Sequence, residues 1–117
     1  MSISIIGGSG FLGNRLSKRL DNSNAKYRIF DKKLLKDDKN YIDVTDLNSL
    51  DILKDSTAII NLAAVHRDDI RPISLYDDVN VKGAKNICFA AEKFNINKII
   101  FTSSVAVYGF APENTGE

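Results

Sequence analysis

Short apolar runs separated by glycine-rich or polar segments extend through the whole chain. The first run, residues 3–6, ends at three glycines spaced three residues apart: Gly7, Gly10 and Gly13. Leucines then recur at every fourth position, at Leu12, Leu16 and Leu20. An apolar run, a glycine turn and a period near 3.6 predict a strand, a tight turn and a helix that fades near residues 21–24.

The later runs predict further strands and helices in alternation. They indicate strands at residues 26–30, 41–42, 57–64 and 98–102, a polar loop at 34–40 and a long helix at 73–95. Thr45 or Asp46 can cap a short helix that contains Leu47, Leu50 and Leu53. Right-handed crossovers then give an α/β fold, a Rossmann-like parallel sheet of about five strands in the order 3-2-1-4-5 with flanking helices.

The long helix has one apolar face and one polar residue on it. Ala84, Ile87, Cys88 and Ala91 share the face, and Asn80 falls on it one turn earlier. A polar amide on an apolar stripe needs a hydrogen-bonding partner. Cys88 is the sole cysteine, which excludes an internal disulfide, and its apolar position predicts a core residue rather than a nucleophile.

Composition narrows the class of protein. A chain of 117 residues forms one domain at most, and 44% hydrophobic and 26% charged residues with a formal charge of +1 indicate an ordinary globular chain. No nucleic-acid or membrane partner is expected from this charge balance. The chain shows no signal peptide and no membrane-spanning apolar run, so a cytoplasmic location is expected. His66 is the only histidine and lacks a second ligand at metal-binding spacing, so no metal site is predicted.

The glycine turn has the features of a phosphate-binding loop. Gly7 allows the sharp turn, Gly10 lets backbone approach a pyrophosphate, and Gly13 lets the helix pack closely on the strand. The phosphates would lie at the positive N-terminal end of the helix.

Asp31 ends the second strand, about 20 residues beyond the glycines, where an acid holds the adenosine ribose of a dinucleotide. A carboxylate there favours NAD, because it would repel the 2′-phosphate of NADP. The adjacent Lys32 and Lys33 could instead attract that phosphate, which leaves NADP as the less favoured cofactor.

Three motifs together resemble one protein family. They are the G-x-x-G-x-x-G spacing at residues 7–13, the pattern Pro72-x-x-x-Tyr76-x-x-x-Asn80-x-x-Gly83, and Ser-Ser-x-Ala-Val-Tyr-Gly at residues 103–109. The chain resembles the extended short-chain dehydrogenase/reductase family along its whole length. This resemblance implies an NAD-dependent nucleotide-sugar epimerase, similar to a UDP-sugar 4-epimerase. Val105 and Ala106 replace the Asp-Glu pair of the family's dehydratases, which leaves epimerase, decarboxylase or reductase activity.

The resemblance also assigns site residues. Ser104 matches the catalytic hydroxyl. The matching cofactor-binding positions are Gly7, Gly10, Phe11, Leu12, Gly13, Asp31, Asp43, Val44, Leu62, Ala63, Ala64, His66, Asn80 and Ser103. Asp43 is also compatible with a plain strand-ending residue, and His66 with a solvated loop histidine.

One requirement of the family is missing from the sequence. The chemistry needs a Tyr-x-x-x-Lys pair, in which the lysine lowers the pKa of the tyrosine so that it serves as general base. No tyrosine of this chain has a lysine four residues later. Residues 1–117 are therefore expected to form an incomplete NAD(P)-binding domain without the substrate half, catalytically inactive by itself.

Two alternatives from other classes stay open. The chain could be a non-catalytic dinucleotide sensor, or an interaction module that has lost the cofactor. In the intact enzyme a nucleotide sugar is the expected substrate. The strand at residues 98–102, without later neighbours in the sheet, is expected to drive self-association, for example as a homodimer.

Overall fold

The computed structural model describes residues 2–63 and 77–102 of the chain, with side chains at 2–63 and 78–102. Four strands form one sheet in which every neighbouring pair is parallel. In chain order the strands are β1 (Ser2–Ile6), β2 (Tyr27–Phe30), β3 (Ser56–Asn61) and β4 (Ile99–Phe101), and their order in the sheet is β2-β1-β3-β4. The predicted α/β class and parallel sheet are confirmed.

The strand expected at residues 41–42 is reduced to a single parallel bridge between Asp31 and Tyr41. This bridge lies beside β2, where the order 3-2-1-4-5 places the segment. The pairing is short because the chain turns directly afterwards: the Asp46 N–H donates to the Asp43 carbonyl at 3.0 Å. The described sheet therefore has four strands, and the position of the fifth segment agrees with the predicted order.

Within the described residues, four helical segments lie between the strands. They are α1 (Phe11–Asn22), a 3₁₀ helix (Leu47–Leu53), a π-helical turn (Asp77–Lys82) and α2 (Gly83–Lys93). Asp46, one of the two predicted caps, accepts a hydrogen bond from the Asn48 N–H at 3.1 Å and so starts the 3₁₀ helix. None of the described helices is both long and apolar enough to cross a membrane.

The main hydrophobic core lies on one face of the sheet. Ile6, Phe30 and Ile59 point from three strands toward the 3₁₀ helix and α2, where Leu50 and Ile87 are equally buried. Fully burying one such side chain stabilises the fold by about 1.5–3 kcal/mol. Because side chains alternate along a strand, the opposite face is left to α1, and the Tyr27 hydroxyl donates to Asp21 there at 2.7 Å.

Two predictions for the long helix are wrong. The buried stripe of α2 consists of Gly83, Ile87, Ala90 and Ala91. Cys88 is exposed, because it lies about 100° around the helix from Ile87, the centre of that stripe. Asn80 is exposed as well. Residues 77–82 wind as a π-helix, whose wider turns shift Asn80 out of the 3.6-residue phase of α2.

Candidate functional site

The carboxyl ends of β1, β2 and β3 meet around the glycine loop. The Gly7 N–H donates to the Phe30 carbonyl at 2.8 Å, and the Leu62 N–H donates to the Ile6 carbonyl at 2.8 Å. These two bonds join the loop to the end of β2 and the segment after β3 to the end of β1. These contacts bring together the main residues that the sequence predicts for the site. They do so at the edge where ligands of open parallel sheets bind.

Gly7 has a backbone conformation and surroundings that only glycine tolerates. Its φ angle is +76°, and a Cβ would lie 2.8 Å from the Ala63 nitrogen and 3.0 Å from the Leu62 carbonyl carbon. The glycine loop therefore packs directly on the backbone of residues 62–63. Leu62 and Ala63 are half-buried beside it.

Gly13 provides the close approach predicted for it, but its neighbour is a loop residue rather than a strand. A Cβ on Gly13 would overlap the carbonyl of Gly8. Gly8 was not singled out from the sequence, yet its own Cβ would come within 2.8 Å of Ile29 Cγ2 and 3.0 Å of Ile5 Cγ2. The doubled glycine directly after the apolar run was the signal for this contact.

Gly10 differs from the other loop glycines because nothing in the fold needs it to lack a side chain. A Cβ there would meet no atom within 4 Å, and its φ of −87° and ψ of −170° suit any residue. The open space lies in front of the α1 N-terminus, which has no acid in its first turn and no side-chain cap from the described residues. Unpaired N–H groups and the helix dipole make such an end a ready anion site.

Apolar side chains flank this helix end. Phe11 is 75% exposed and Leu12 is 50% exposed. An exposed apolar rim around a few convergent polar groups is typical of a ligand cleft.

Asp31 is a buried carboxylate fixed by the glycine loop. It is 8% exposed, its Oδ2 accepts from the Ser9 N–H at 3.1 Å and from Ser9 Oγ, and its Oδ1 accepts from the Lys33 N–H at 3.1 Å. Burial acts to raise the pKa of Asp31, but the hydrogen bonds from Ser9 and Lys33, with the Lys33 charge, hold the pKa below its ordinary value. The side chain is therefore ionised at neutral pH.

Asp43 lies half-buried at the turn after the Tyr41 bridge. Its Oδ2 pairs with Lys32 Nζ at 3.6 Å, and its Oδ1 accepts from the Thr45 N–H at 3.0 Å and the Thr45 hydroxyl at 2.7 Å. Burial acts to raise the pKa of Asp43, whereas the Thr45 bonds and the Lys32 charge lower it further than burial raises it. One of the two lysines beside Asp31 is thus directed toward an acid.

The neighbouring Val44 is placed differently from Asp43. Its side chain is 6% exposed within the core, and its carbonyl accepts from Asn86 Nδ2 at 2.9 Å. The structure therefore places the side chain of Val44 against α2 rather than at the open surface of the site.

The remaining predicted positions divide into two groups. Asn80 is exposed in the π-helical turn. Four others lie outside the described residues: Ala64, His66, Ser103 and Ser104. Within residues 2–63 and 77–102, no group of three His, Cys, Asp or Glu side chains could hold a metal ion.

Two polar residues of the site were not predicted from the sequence. Ser9 holds Asp31, and the buried Asn61 accepts from the Ala63 N–H at 3.1 Å through its side-chain oxygen. A polar residue inside the glycine loop and an asparagine ending an apolar run were the available signals, but their partners depend on the folded loop.

The sequence profile of the NAD-dependent epimerase/dehydratase family matches residues 3–117. The chain belongs to this family. A relative in Escherichia coli, the N-acetyl-alpha-D-glucosaminyl-diphospho-ditrans,octacis-undecaprenol 4-epimerase, is 43% identical over 124 residues, which span 99% of this chain and 36% of the relative. The UDP-glucose 4-epimerase of Vibrio cholerae is 31% identical over 123 residues, or 92% of this chain and 36% of that protein.

A solved structure shows the same fold. MoeE5 in complex with UDP-glucuronic acid and NAD superposes with a TM-score of 0.79 at 26% identity, covering 96% of this chain and 40% of that chain. The family resemblance drawn from the sequence motifs is confirmed. The chain spans less than half the length of these relatives.

Proposed function

We propose that this chain is the NAD-binding portion of an epimerase that oxidises and re-reduces one carbon of a sugar carried on a diphosphate. The observation that carries the proposal is the open cradle at Gly10, where the fold leaves space in front of an uncapped helix end. Family membership supports NAD as the cofactor, and MoeE5 is seen in complex with NAD.

The residues present fit a dinucleotide. The backbone at Gly10 and the first N–H groups of α1 would hold the pyrophosphate, and Phe11 and Leu12 would border it. Asp31, ionised and next to the loop, would accept a hydrogen bond from the adenosine ribose. The half-buried segment 62–63 would line the far side of the loop.

The acids of the site favour NAD over NADP. Asp31 carries a negative charge where NADP would bring its 2′-phosphate, and Lys32 is paired with Asp43 at 3.6 Å. Lys33 contributes its backbone N–H to Asp31. We infer that the chain binds NAD more tightly than NADP.

Bound NAD would supply a hydride acceptor and donor. We propose that Ser104 hydrogen-bonds the reacting oxygen of the sugar. This bond would stabilise the charge on that oxygen as it changes from a hydroxyl to a carbonyl. Ala64, His66, Asn80 and Ser103 remain proposed cofactor contacts. We infer that the substrate-binding part belongs to the additional length of the relatives, so residues 1–117 form an incomplete domain.

The sugar carrier is inferred from the relatives. The Escherichia coli relative is named for a sugar linked by a diphosphate to undecaprenol, and the Vibrio cholerae relative for UDP-glucose. A diphosphate joined to a hexose is common to both names, and we propose it as the shared substrate feature here.

Calorimetric titration of the purified chain with NAD, and separately with NADP, tests the cofactor. We expect saturable NAD binding, weaker NADP binding, and loss of both in Gly10→Val, whose branched side chain would fill the cradle. Circular dichroism of Gly10→Val is the control, because the open space predicts an unchanged fold. A folded wild-type chain that binds neither nucleotide would contradict the proposal.

A chimaera tests the reaction class. Residues 1–117 would replace the matching part of the Escherichia coli relative, and the product would be assayed on UDP-N-acetylglucosamine and on the undecaprenyl-linked sugar. We expect epimerisation at C4 of one of them and none by the chain alone. A chimaera that folds and binds NAD but converts neither would exclude the epimerase assignment and favour a dinucleotide sensor.

A further inference from the structure

We propose that Ser9 is a positioning residue that orients the Asp31 carboxylate toward the ribose of the dinucleotide and thereby sets the preference for NAD over NADP. The inference rests on the proposed NAD site. It adds a residue whose role follows from contacts rather than from the glycine spacing, because Ser9 occupies a variable position of the motif between Gly8 and Gly10.

Ser9 donates two hydrogen bonds to one oxygen of the Asp31 carboxylate. Its N–H lies 3.1 Å from Asp31 Oδ2 and its Oγ 2.5 Å from the same oxygen. The other oxygen, Oδ1, accepts from the Lys33 N–H at 3.1 Å. A carboxylate has about four lone-pair positions, two on each oxygen. Three are therefore used within the protein, and the one left for a ligand is on Oδ1.

This arrangement fixes which atom meets the ribose. Two donors on Oδ2 stop the carboxylate from rotating, and Lys33 holds the second oxygen from the turn after β2. Oδ1 is then the acceptor for a ribose hydroxyl. Because Ser9 belongs to the loop that cradles the pyrophosphate, one residue couples the phosphate and ribose contacts of the cofactor.

The same contacts give discrimination against NADP. Asp31 is 8% exposed, so an unpaired charge there would be costly and the side chain would protonate or turn away. Hydrogen bonds from Ser9 to the charged form are among the causes that lower the pKa of Asp31. A fixed, charged oxygen repels a 2′-phosphate, whereas a carboxylate released from Ser9 could rotate away from it.

Ser9 can be tested without harming the core because its side chain is exposed. Ser9→Ala removes the Oγ donor and keeps the N–H. Ser9→Thr keeps both donors. Ser23→Ala is the matched control, since Ser23 is an exposed serine at the other end of α1 whose hydroxyl donates to the Arg19 carbonyl at 2.9 Å.

Calorimetric dissociation constants for NAD and NADP provide the first readout. A charge-assisted hydrogen bond predicts about a 10-fold weaker NAD complex in Ser9→Ala, with NADP unchanged or tighter, so the selectivity ratio falls at least as much. Ser9→Thr restores the ratio and Ser23→Ala retains it. Tighter NAD binding by Ser9→Ala would show that Ser9 competes with the ribose and would overturn the inference.

Carbon-detected NMR titration of the Asp31 carboxyl without nucleotide is the second readout. Ser9→Ala is expected to raise the pKa of Asp31, and Ser23→Ala to leave it in place. If wild type binds NAD and Ser9→Ala changes neither the selectivity ratio nor this titration, the role of Ser9 is disproved while the proposed function stands. If wild type binds no NAD, the proposed function fails and this inference with it.

Discussion

Gly13 packs on Gly8 so closely that a Cβ on Gly13 would overlap the Gly8 carbonyl oxygen. The first turn of α1 thus lies on the loop that leaves β1, and this contact holds the helix end at the edge of the sheet. Because the neighbour is backbone, no side-chain rotation can relieve a larger residue. The contact determines where the N–H groups of the helix end point.

Gly13→Ala is expected to lower the free energy of unfolding by about 2 kcal/mol. Overpacking against backbone costs up to about 3 kcal/mol, which outweighs the gain of about 1 kcal/mol from replacing a helical glycine. Urea unfolding followed by circular dichroism measures the change. A variant as stable as wild type would show that the loop can move away from the helix.

Gly10→Ala is expected to weaken NAD binding and to leave stability unchanged. Its Cβ enters open space and its backbone conformation is allowed, so the free energy of unfolding should stay within about 0.5 kcal/mol of wild type. Affinity for NAD should fall about 10-fold or more, because the methyl group occupies the approach to the helix end. Paired unfolding and calorimetry on Gly10→Ala and Gly13→Ala separate binding from folding. Equal loss of stability in both variants would contradict the assignment of Gly10 to ligand approach.

Gly83 and Val44 are expected to be energetically coupled. A Cβ on Gly83 would lie 2.6 Å from Val44 Cγ2 and 3.1 Å from its Cβ. Gly83→Ala should therefore destabilise wild type, but destabilise much less when Val44→Ala has removed both methyl groups and left only the 3.1 Å approach to the Val44 Cβ. A double-mutant cycle by urea unfolding should give a coupling of about 1–2 kcal/mol. Additive effects would show that the two residues are not in contact.

Stability is expected to fall in acid because of Asp31 and Asp43. The pKa of each carboxyl is lowered in the folded state, so the unfolded chain binds more protons as pH falls. The contribution is complete above the unfolded pKa of about 4 and is lost as pH drops through the folded pKa. Urea unfolding at about pH 6, 5, 4 and 3 measures how much of this stability is lost at each pH.

The control for that series is an acid outside the site. Asp31→Asn should reduce the pH dependence and leave the part due to Asp43, whereas Asp37→Asn, in the loop at residues 34–40, should retain it in full. The same dependence in Asp31→Asn as in wild type would show that Asp31 contributes no proton linkage.

Local patterns in the sequence were enough to predict the sheet and the glycine loop. The apolar runs predict β1 to β4 and their order, and the glycine spacing predicts the tight turn and a close approach at Gly13, although its neighbour is Gly8 rather than a strand. These features depend on residues close together in the chain, or on crossover rules that apply to every parallel sheet.

Contacts between distant residues were beyond such patterns. Ser9 and Asp31 are 22 positions apart, and their bond depends on how the loop closes against β2. Cys88 is exposed because it lies about 100° around α2 from Ile87 in the buried stripe, and Asn80 because it lies in the π-helical turn before α2. The strand at residues 41–42 shrinks to one bridge because the Asp43 turn follows at once.

The most direct test of the account is a two-dimensional amide NMR titration of the chain with NAD. We predict that the amides of Gly10, Phe11 and Leu12 and those of Ser9 and Asp31 shift together along one saturation curve, and that α2 stays unperturbed. Without NAD, the spectrum of the Gly10→Val variant should match that of the wild type. Adding NAD should not change it. Saturable shifts confined to α2, or none at all from a folded chain, would contradict the assignment of the glycine loop as a dinucleotide site.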